Sequence, residues 1–136
     1  MNIFSLLAVL LLNSSVKDDS YIRFEYIGDI DKPIPAVIFF VHAEGIKKAE
    51  FEDSFRLSNA EFNSLSSLIK SDHKLFSKVK AYFYRITIFD GAVKQYYFIR
   101  NKQSVANAFK EVIDKLKFSN HRDQIQSTLL NILNRI

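Results

Sequence analysis

Histidine, carboxylate and serine side chains are the groups in this chain that could do chemistry. His42 and Glu44 lie two residues apart at the end of an apolar run, so in an extended strand both side chains point to the same side. An imidazole beside a carboxylate can hold a metal ion or act as an acid–base pair. The spacing supplies no third ligand, because His73 and His121 lie in polar connections. A hydrolase or metal enzyme that uses His42 and Glu44 is therefore ranked last of three functional hypotheses, behind a structural role for His42.

Other arrangements that catalysis or ligand binding would need are absent from the sequence. The acidic groups Glu50, Glu52, Asp53 and Asp29, Asp31 lack the glycine and the terminal glutamate of a calcium loop, and we interpret them as solvated loop charges. No G-x-S-x-G motif marks a serine nucleophile, and the three glycines stand apart, so no phosphate-binding loop is formed. The chain has no cysteine, which excludes disulfides and cysteine-ligated zinc. We therefore predict no enzyme activity, no metal site and no cofactor.

The composition is that of one folded domain. The chain has 136 residues, 48% of them hydrophobic, with 13 Phe and no Trp, which is enough to bury a core without metals or disulfides. Aromatic side chains pack well on a pleated surface and favour a fold that contains a sheet. The net charge is +4, but Lys and Arg are scattered, whereas nucleic-acid-binding proteins concentrate them on one face or arm. We therefore expect a protein partner and no binding to nucleic acid.

The first twenty residues combine an apolar run with a polar segment. Residues 3–12, IFSLLAVLLL, are apolar except for Ser5, and small polar residues follow. This order is typical of a secretory signal peptide, and the run is too short for a stable membrane span, which needs about 20 apolar residues. No Lys or Arg precedes the run, which argues against export. We predict that residues 1–20 are a signal peptide of a secreted or periplasmic protein. The alternative is an apolar N-terminal segment that packs on the fold of a cytoplasmic protein.

Apolar patterns predict the strands at the start of a single domain, residues 21–136. Residues 21–27 alternate between apolar and polar positions, which is typical of a half-buried strand. Residues 36–43, AVIFFVHA, are almost wholly apolar and predict a strand covered on both faces. Residues 49–57 fit both a strand and a helix, and we choose the strand.

Helical spacing and caps predict the helices. Ser58 and Glu61 form the S-x-x-E pattern of a capping box ahead of apolar residues at helical spacing. Ser104 or Asn101 can cap a second helix, and residues 118–120 separate it from a third. The order ββ(β)αββαα predicts an α+β domain. Its antiparallel sheet of about four to five strands carries two to three helices on one face.

The strongest local signal is Asp90-Gly91, which lies between two runs rich in aromatic and β-branched residues. A two-residue turn at this position predicts a hairpin and fixes its register, which divides the side chains between two faces. One face is apolar apart from Gln95 and should lie under the helices. The other face pairs Thr87 with Lys94, Arg85 with Tyr96 and Phe83 with Phe98.

This second hairpin face is the predicted binding surface, consisting of Phe83, Arg85, Lys94, Tyr96 and Phe98. Arg and Tyr are enriched among the residues that contribute most to protein interfaces. The alternative is an ordinary sheet face, in which such cross-strand pairs only stabilise strand pairing. The leading hypothesis is a small exported, non-enzymatic domain that binds a protein or another macromolecule through this open sheet face. The second hypothesis is an intracellular inhibitor or immunity-type interaction protein whose N-terminus is part of the fold.

Overall fold

The described part of the chain forms one five-stranded sheet and three helices. The structure, a computed structural model, describes residues 15–28, 36–42, 52–79, 84–99, 102–116 and 122–135. The strands are β1 (Tyr21–Tyr26), β2 (Ala36–Phe40), β3 (Glu52–Arg56), β4 (Tyr84–Phe89) and β5 (Lys94–Ile99). The helices are α1 (Asn59–Ser71), α2 (Lys102–Lys115) and α3 (Arg122–Arg135). The strands lie side by side in the order β3-β2-β1-β4-β5. The α+β class, the element order and the strand chosen within residues 49–57 are confirmed.

One pair of neighbouring strands departs from the predicted antiparallel arrangement. β2 and β3 are parallel, with Phe39 opposite Phe55, whereas the other neighbouring strands are antiparallel. A parallel pair requires the chain to return to the end of the sheet at which the first strand began, which takes about a dozen residues. The connection between β2 and β3, residues 41–51, is close to that length. The prediction of antiparallel pairing throughout was wrong here, because it treated strands close in sequence as antiparallel neighbours.

One face of the sheet packs against the helices and forms the core. Phe24 of β1 lies at the centre of this face, with its ring centroid 5.9 Å from that of Phe39 and 6.1 Å from that of Phe109 in α2. The strand residues that share this face are Ile22, Phe24, Val37, Phe39, Phe55, Tyr84, Ile86, Ile88, Tyr97 and Ile99. The buried helix residues are Phe62, Leu65 and Ile69 in α1, Val105, Ala108, Phe109 and Val112 in α2, and Ile125, Leu129 and Ile132 in α3. The apolar stripe of each predicted helix therefore contributes to this core.

The beginning of α1 is fixed by the predicted capping box. The Ser58 hydroxyl oxygen accepts a hydrogen bond from the Glu61 N–H at 3.1 Å, and Glu61 Oε1 accepts from the Ser58 N–H at 3.0 Å. Both bonds satisfy N–H groups that a helix leaves without partners at its first turn. The chain therefore changes from strand to helix within three residues of Arg56, the last residue of β3.

The turn of the β4–β5 hairpin lies one residue later than predicted. Its central residues are Gly91 and Ala92, since the Asp90 N–H donates to the Val93 carbonyl oxygen across the turn at 3.4 Å. Asp90 Oδ1 accepts from the N–H groups of both Ala92 and Val93 at 2.9 Å. Gly91 has φ 93°, a backbone conformation that only glycine adopts freely. The aspartate therefore precedes the turn and caps it, instead of forming part of its centre.

This later turn moves every cross-strand pair by two residues. Arg85 lies opposite Phe98, Thr87 opposite Tyr96 and Phe89 opposite Lys94, so the predicted direct pairs were wrong. A shift of two residues leaves each side chain on the face to which it was assigned, because side chains alternate with a period of two. The predicted division of the hairpin into a core face and a second face is therefore correct for its described residues. Phe83 lies outside the described residues.

The polar end of the predicted N-terminal segment packs against the hairpin turn. Val16 contacts the hydrophobic core, and Ser20 is buried next to the start of β1. A Cβ atom at Gly91 would come within 2.7 Å of Lys17 Cδ and 2.8 Å of Asp19 Oδ1. Glycine is thus favoured at the turn by its positive φ, and a larger residue would also displace the side chains of Lys17 and Asp19. The apolar run of the predicted signal peptide, residues 3–12, lies outside the described residues.

Candidate binding surface

The side of the sheet away from the helices carries the predicted binding residues. Arg85 of β4 and Lys94, Tyr96 and Phe98 of β5 all lie on this side. We call these four residues the hairpin surface. Two of them, Lys94 and Tyr96, are exposed, and the other two are half-buried. The structure therefore brings together the four predicted site residues that it describes.

Arg85 is held in one orientation by two neighbours. Its Nε and Nη2 groups donate to Glu25 Oε1 at 2.8 and 2.6 Å, and Glu25 lies directly opposite Arg85 in the β1–β4 pair. The guanidinium carbon lies 5.4 Å from the ring centroid of Tyr96, which is a diagonal neighbour. The Arg85 side chain is still 40% exposed. Its Nη1 group makes no hydrogen bond within the described part of the chain, so this fixed cation retains donors for another molecule.

The exposed part of this side of the sheet is its β5 margin. Tyr96 is 45% exposed, and Lys94, the first residue of β5, is exposed as well. The Lys94 amino group lies 6.0 Å from the ring centroid of Phe89. This margin combines aromatic, cationic and hydroxyl groups, the mixture that the sequence predicted for the binding surface.

Toward β2 the same side of the sheet is buried, as predicted for β2 but not for the second face of the hairpin. Ile38 is fully buried, and Thr87 is buried although it lies on the face predicted to be open. Thr87 lies directly opposite Arg23 on β1 and Tyr96 on β5. Arg23 in turn stacks on Tyr21, with its guanidinium carbon 4.8 Å from the ring centroid. The accessible surface is therefore narrower than predicted and is centred on Arg85 and Tyr96.

Glu52 corrects the interpretation of the acidic residues as solvated loop charges. It begins β3, and its fully buried side chain accepts from Arg23 Nε at 2.7 Å. Ala36 lies opposite Glu52 on β2, and this small residue leaves room for the ion pair to cross the strand. Glu52 Oε1 has no hydrogen-bond partner in the part of the chain that the structure describes. Glu52 is therefore a structural link between β1 and β3, while the neighbouring Asp53 is exposed as predicted.

The residues considered for catalysis do not form a site among the described residues. His42 Nε2 lies 3.8 Å from Asp18 Oδ1, and both side chains are substantially exposed. His73 lies in the turn after α1. Within the described ranges, no three histidine or carboxylate side chains are close enough to share a metal ion. Glu44 and His121 lie outside those ranges.

Glu25 is the member of this site that sequence reasoning missed. The alternation of the first strand placed it on a polar face, but nothing local indicated that it lies beside a residue 60 positions later. A signal was nevertheless present, because Glu25 and Arg85 have opposite charge and each lies in a strand of matching length. The strand order was needed to pair them.

Comparison with known proteins identifies no relative. No protein-family model matches the chain, and no curated protein or solved structure is significantly similar to it. The helices of the described ranges are too short or too polar to cross a membrane. The geometry of the hairpin surface is therefore the basis on which a function can be argued.

Proposed function

We propose that this protein is an exported, non-enzymatic domain that binds a protein partner through the hairpin surface. The observation that carries the proposal is the arrangement of Arg85, held by Glu25 and stacked on Tyr96 while its guanidinium stays accessible. An arginine already fixed in place loses less side-chain entropy on binding than a freely moving one. Arg and Tyr are also the side chains most often found to dominate protein interfaces.

The chemistry of the surface favours a partner that offers oxygen acceptors beside apolar groups. Glu25 forms an ion pair with Arg85, but the Nη1 group of Arg85 can still donate to a carboxylate or a carbonyl oxygen. Tyr96 supplies exposed apolar area next to it. Such a mixed patch is typical of a protein interface, whose rim is polar and whose centre is aromatic.

Export is the part of the proposal that rests on the apolar run, residues 3–12. The second candidate is an intracellular inhibitor or immunity-type protein, and the packing of Val16 on the core favours it, because the N-terminal segment then belongs to the fold. The apolar run and the packing of Val16 are compatible with each other if a signal peptidase cleaves the chain after residue 12 and before Val16. N-terminal sequencing of the native protein tests this, since a chain that begins at Met1 contradicts cleaved export.

Alanine substitutions test the binding surface. Arg85→Ala and Tyr96→Ala should each reduce capture of the partner at least about tenfold, the result of losing about 1.4 kcal/mol at the interface. Arg122→Ala is the matched control, because Arg122 is also exposed but lies on α3. The bait proteins are compared by quantitative mass spectrometry of the captured proteins, after circular dichroism has shown that each is folded. Equal capture by wild type, Arg85→Ala and Tyr96→Ala contradicts the proposal.

A further inference from the structure

β5 is an outer strand of the sheet, and alternate residues along it direct their main-chain groups away from β4. Ser77 identifies these residues, since its N–H donates to the Phe98 carbonyl oxygen at 3.1 Å and it accepts from the Phe98 N–H at 2.7 Å. In an antiparallel strand, every second residue directs both its N–H and its C=O to the same side. Tyr96 and Lys94 therefore direct their N–H and C=O groups outward, as Phe98 does.

Beyond Ser77 this edge has no partner in the described part of the chain. The Val79 N–H donates to Ser77 Oγ at 3.1 Å, a local turn, so this N–H does not continue the pairing with β5. The outward groups of Lys94 and Tyr96 make no hydrogen bond to a described residue. Both residues, and Gln95 between them, are exposed. An edge of this kind is a template for an additional strand.

We propose that the partner adds an extended, acidic segment to β5 as a sixth strand of the sheet. The segment exchanges hydrogen bonds with the main-chain N–H and C=O groups of Lys94 and Tyr96, in the antiparallel direction that Ser77 already shows at Phe98. Its alternate side chains then lie beside Tyr96, on the side of the sheet that also carries Arg85. This inference rests on the proposed function and specifies how the partner would reach the hairpin surface.

Two exposed lysines at this edge are the reason that we propose an acidic segment. Lys78 and Lys94 are both exposed, and they lie near the two ends of the free stretch. The contacts of their amino groups are with the aromatic rings of Tyr97 and Phe89, each at 6.0 Å. Among the described residues, neither amino group has a carboxylate within ion-pair distance. Glu or Asp side chains on an added strand would supply the missing opposite charge.

A second copy of the chain fits this edge poorly. Symmetric pairing of two β5 strands around Gln95 would place Phe98 of one copy opposite Ala92 of the other. Ser77 occupies the outward groups of Phe98, so it would lie between the two strands. The same arrangement would bring Lys78 and Lys94 of both copies to one short interface, where like charges repel each other. A separate acidic segment meets neither obstacle.

Synthetic peptides test strand addition directly. The probe is a capped peptide of about eight residues in which Thr-Thr and Glu-Glu pairs alternate. Glu side chains then lie on both faces of the added strand, because Lys78 contacts Tyr97 on the core face and Lys94 contacts Phe89 on the other face. One control replaces each Glu by Lys, and a second keeps the Glu residues but carries N-methyl groups on alternate amides, which cannot donate hydrogen bonds. Nuclear magnetic resonance titration of the full chain measures affinity, and amide hydrogen exchange measures protection. The Glu peptide should slow exchange at Lys94 and Tyr96 at least about tenfold, and both controls should bind at least about tenfold more weakly.

The possible results separate strand addition from the proposed function. Strand addition is overturned if the Glu peptide shows no binding at about 1 mM, if the three peptides bind equally, or if the amides of Lys94 and Tyr96 gain no protection. The Arg85→Ala variant distinguishes strand addition at β5 from binding through the hairpin surface. If the Glu peptide binds to Arg85→Ala and protects the amides of Lys94 and Tyr96 as it does in wild type, strand addition stands and the role of the hairpin surface fails. If it weakens binding of the peptide while the two amides stay unprotected in wild type, the hairpin surface stands and strand addition is overturned.

Discussion

The hydroxyl group of Tyr84 is buried in the core without a hydrogen-bond partner among the described residues. Its ring packs against Phe109 of α2, with centroids 5.9 Å apart, and against Tyr26 of β1 at 5.6 Å. Burying an unpaired hydroxyl costs about 1–3 kcal/mol. Tyr84→Phe removes the hydroxyl and keeps both ring contacts. We therefore expect this substitution to raise the free energy of unfolding by about 1–3 kcal/mol.

Urea denaturation measures the effect of Tyr84→Phe, and heat denaturation provides an independent check, since each kcal/mol should raise Tm by roughly 4 °C in a domain of this size. Tyr96→Phe is the matched control, because the Tyr96 side chain is exposed and its substitution should change stability by less than about 0.5 kcal/mol. If Tyr84→Phe lowers the free energy of unfolding, the hydroxyl makes a stabilising hydrogen bond and the reasoning is refuted.

The same hydroxyl predicts a change in stability at alkaline pH. Burial raises the pKa of Tyr84, and the neighbouring Tyr26 raises it further. In the unfolded chain a tyrosine loses its proton at about pH 10, whereas folded Tyr84 keeps it. Stability therefore falls as the pH rises above about 10, by up to about 1.4 kcal/mol per pH unit from this group. Tyr84→Phe lacks this loss, so its advantage over wild type should widen above about pH 10. A constant difference would count against the assigned environment of Tyr84.

Two further substitutions test local hydrogen bonds. Ser58→Ala removes the oxygen that accepts from the Glu61 N–H, and it should lower the free energy of unfolding by about 1 kcal/mol; an unchanged urea midpoint would show that the cap contributes nothing. Hydrogen bonds from Val93 and Ala92 hold the pKa of the Asp90 carboxyl below its ordinary value. Its stabilising effect is therefore present above the unfolded pKa, about 4, and is lost as the pH falls through the lower folded pKa. Asp90→Asn keeps an acceptor but cannot titrate, so its stability should fall less steeply in acid, and superimposable acid profiles would contradict this.

The elements of the fold could be predicted because each one carries a local signal. The alternation of β1 and the capping box at Ser58 arise from interactions within a few residues, and both were correct. The order of the strands has no such signal. β1 pairs with β2 and also with β4, whose residues lie far along the chain. The contact between Glu25 and Arg85 depends on that order, which is why sequence reasoning placed Arg85 in the site but not its ion-pair partner.

In the β4–β5 hairpin, the sequence determined the face of each side chain but not its direct partner on the other strand. Gly91 supplies a positive φ whether it is the first or the second central residue of the turn, so the pattern alone did not choose between them. The side chain of Asp90 decides, because it caps the N–H groups that follow Gly91. The face predicted for each residue was correct because moving the turn by one residue changes each cross-strand partner by two residues, and side chains alternate with a period of two.

The wrong prediction for the Glu52 carboxylate has a different cause. Exposure of a charged side chain is the ordinary expectation, and it held for Asp53. Glu52 is buried because the parallel pairing of β2 and β3 brings it to Arg23 across a small residue. Both conditions are tertiary, and neither can be deduced from the residues around Glu52.

The central position of β1 has a consequence for how the chain is made. β1 is the first of the described strands to leave the ribosome, yet one of its two neighbours, β4, follows about 60 residues later, a delay of about 3–12 s at ordinary rates of synthesis. During this interval β1 and β2 can pair, but the other edge of β1 has no native neighbour and can pair with foreign strands. The β4–β5 hairpin can form locally as soon as it emerges, and its docking onto β1 is the step that completes the sheet. Slower translation before β4 would lengthen this vulnerable interval, whereas a chaperone that holds extended segments would protect the chain during it.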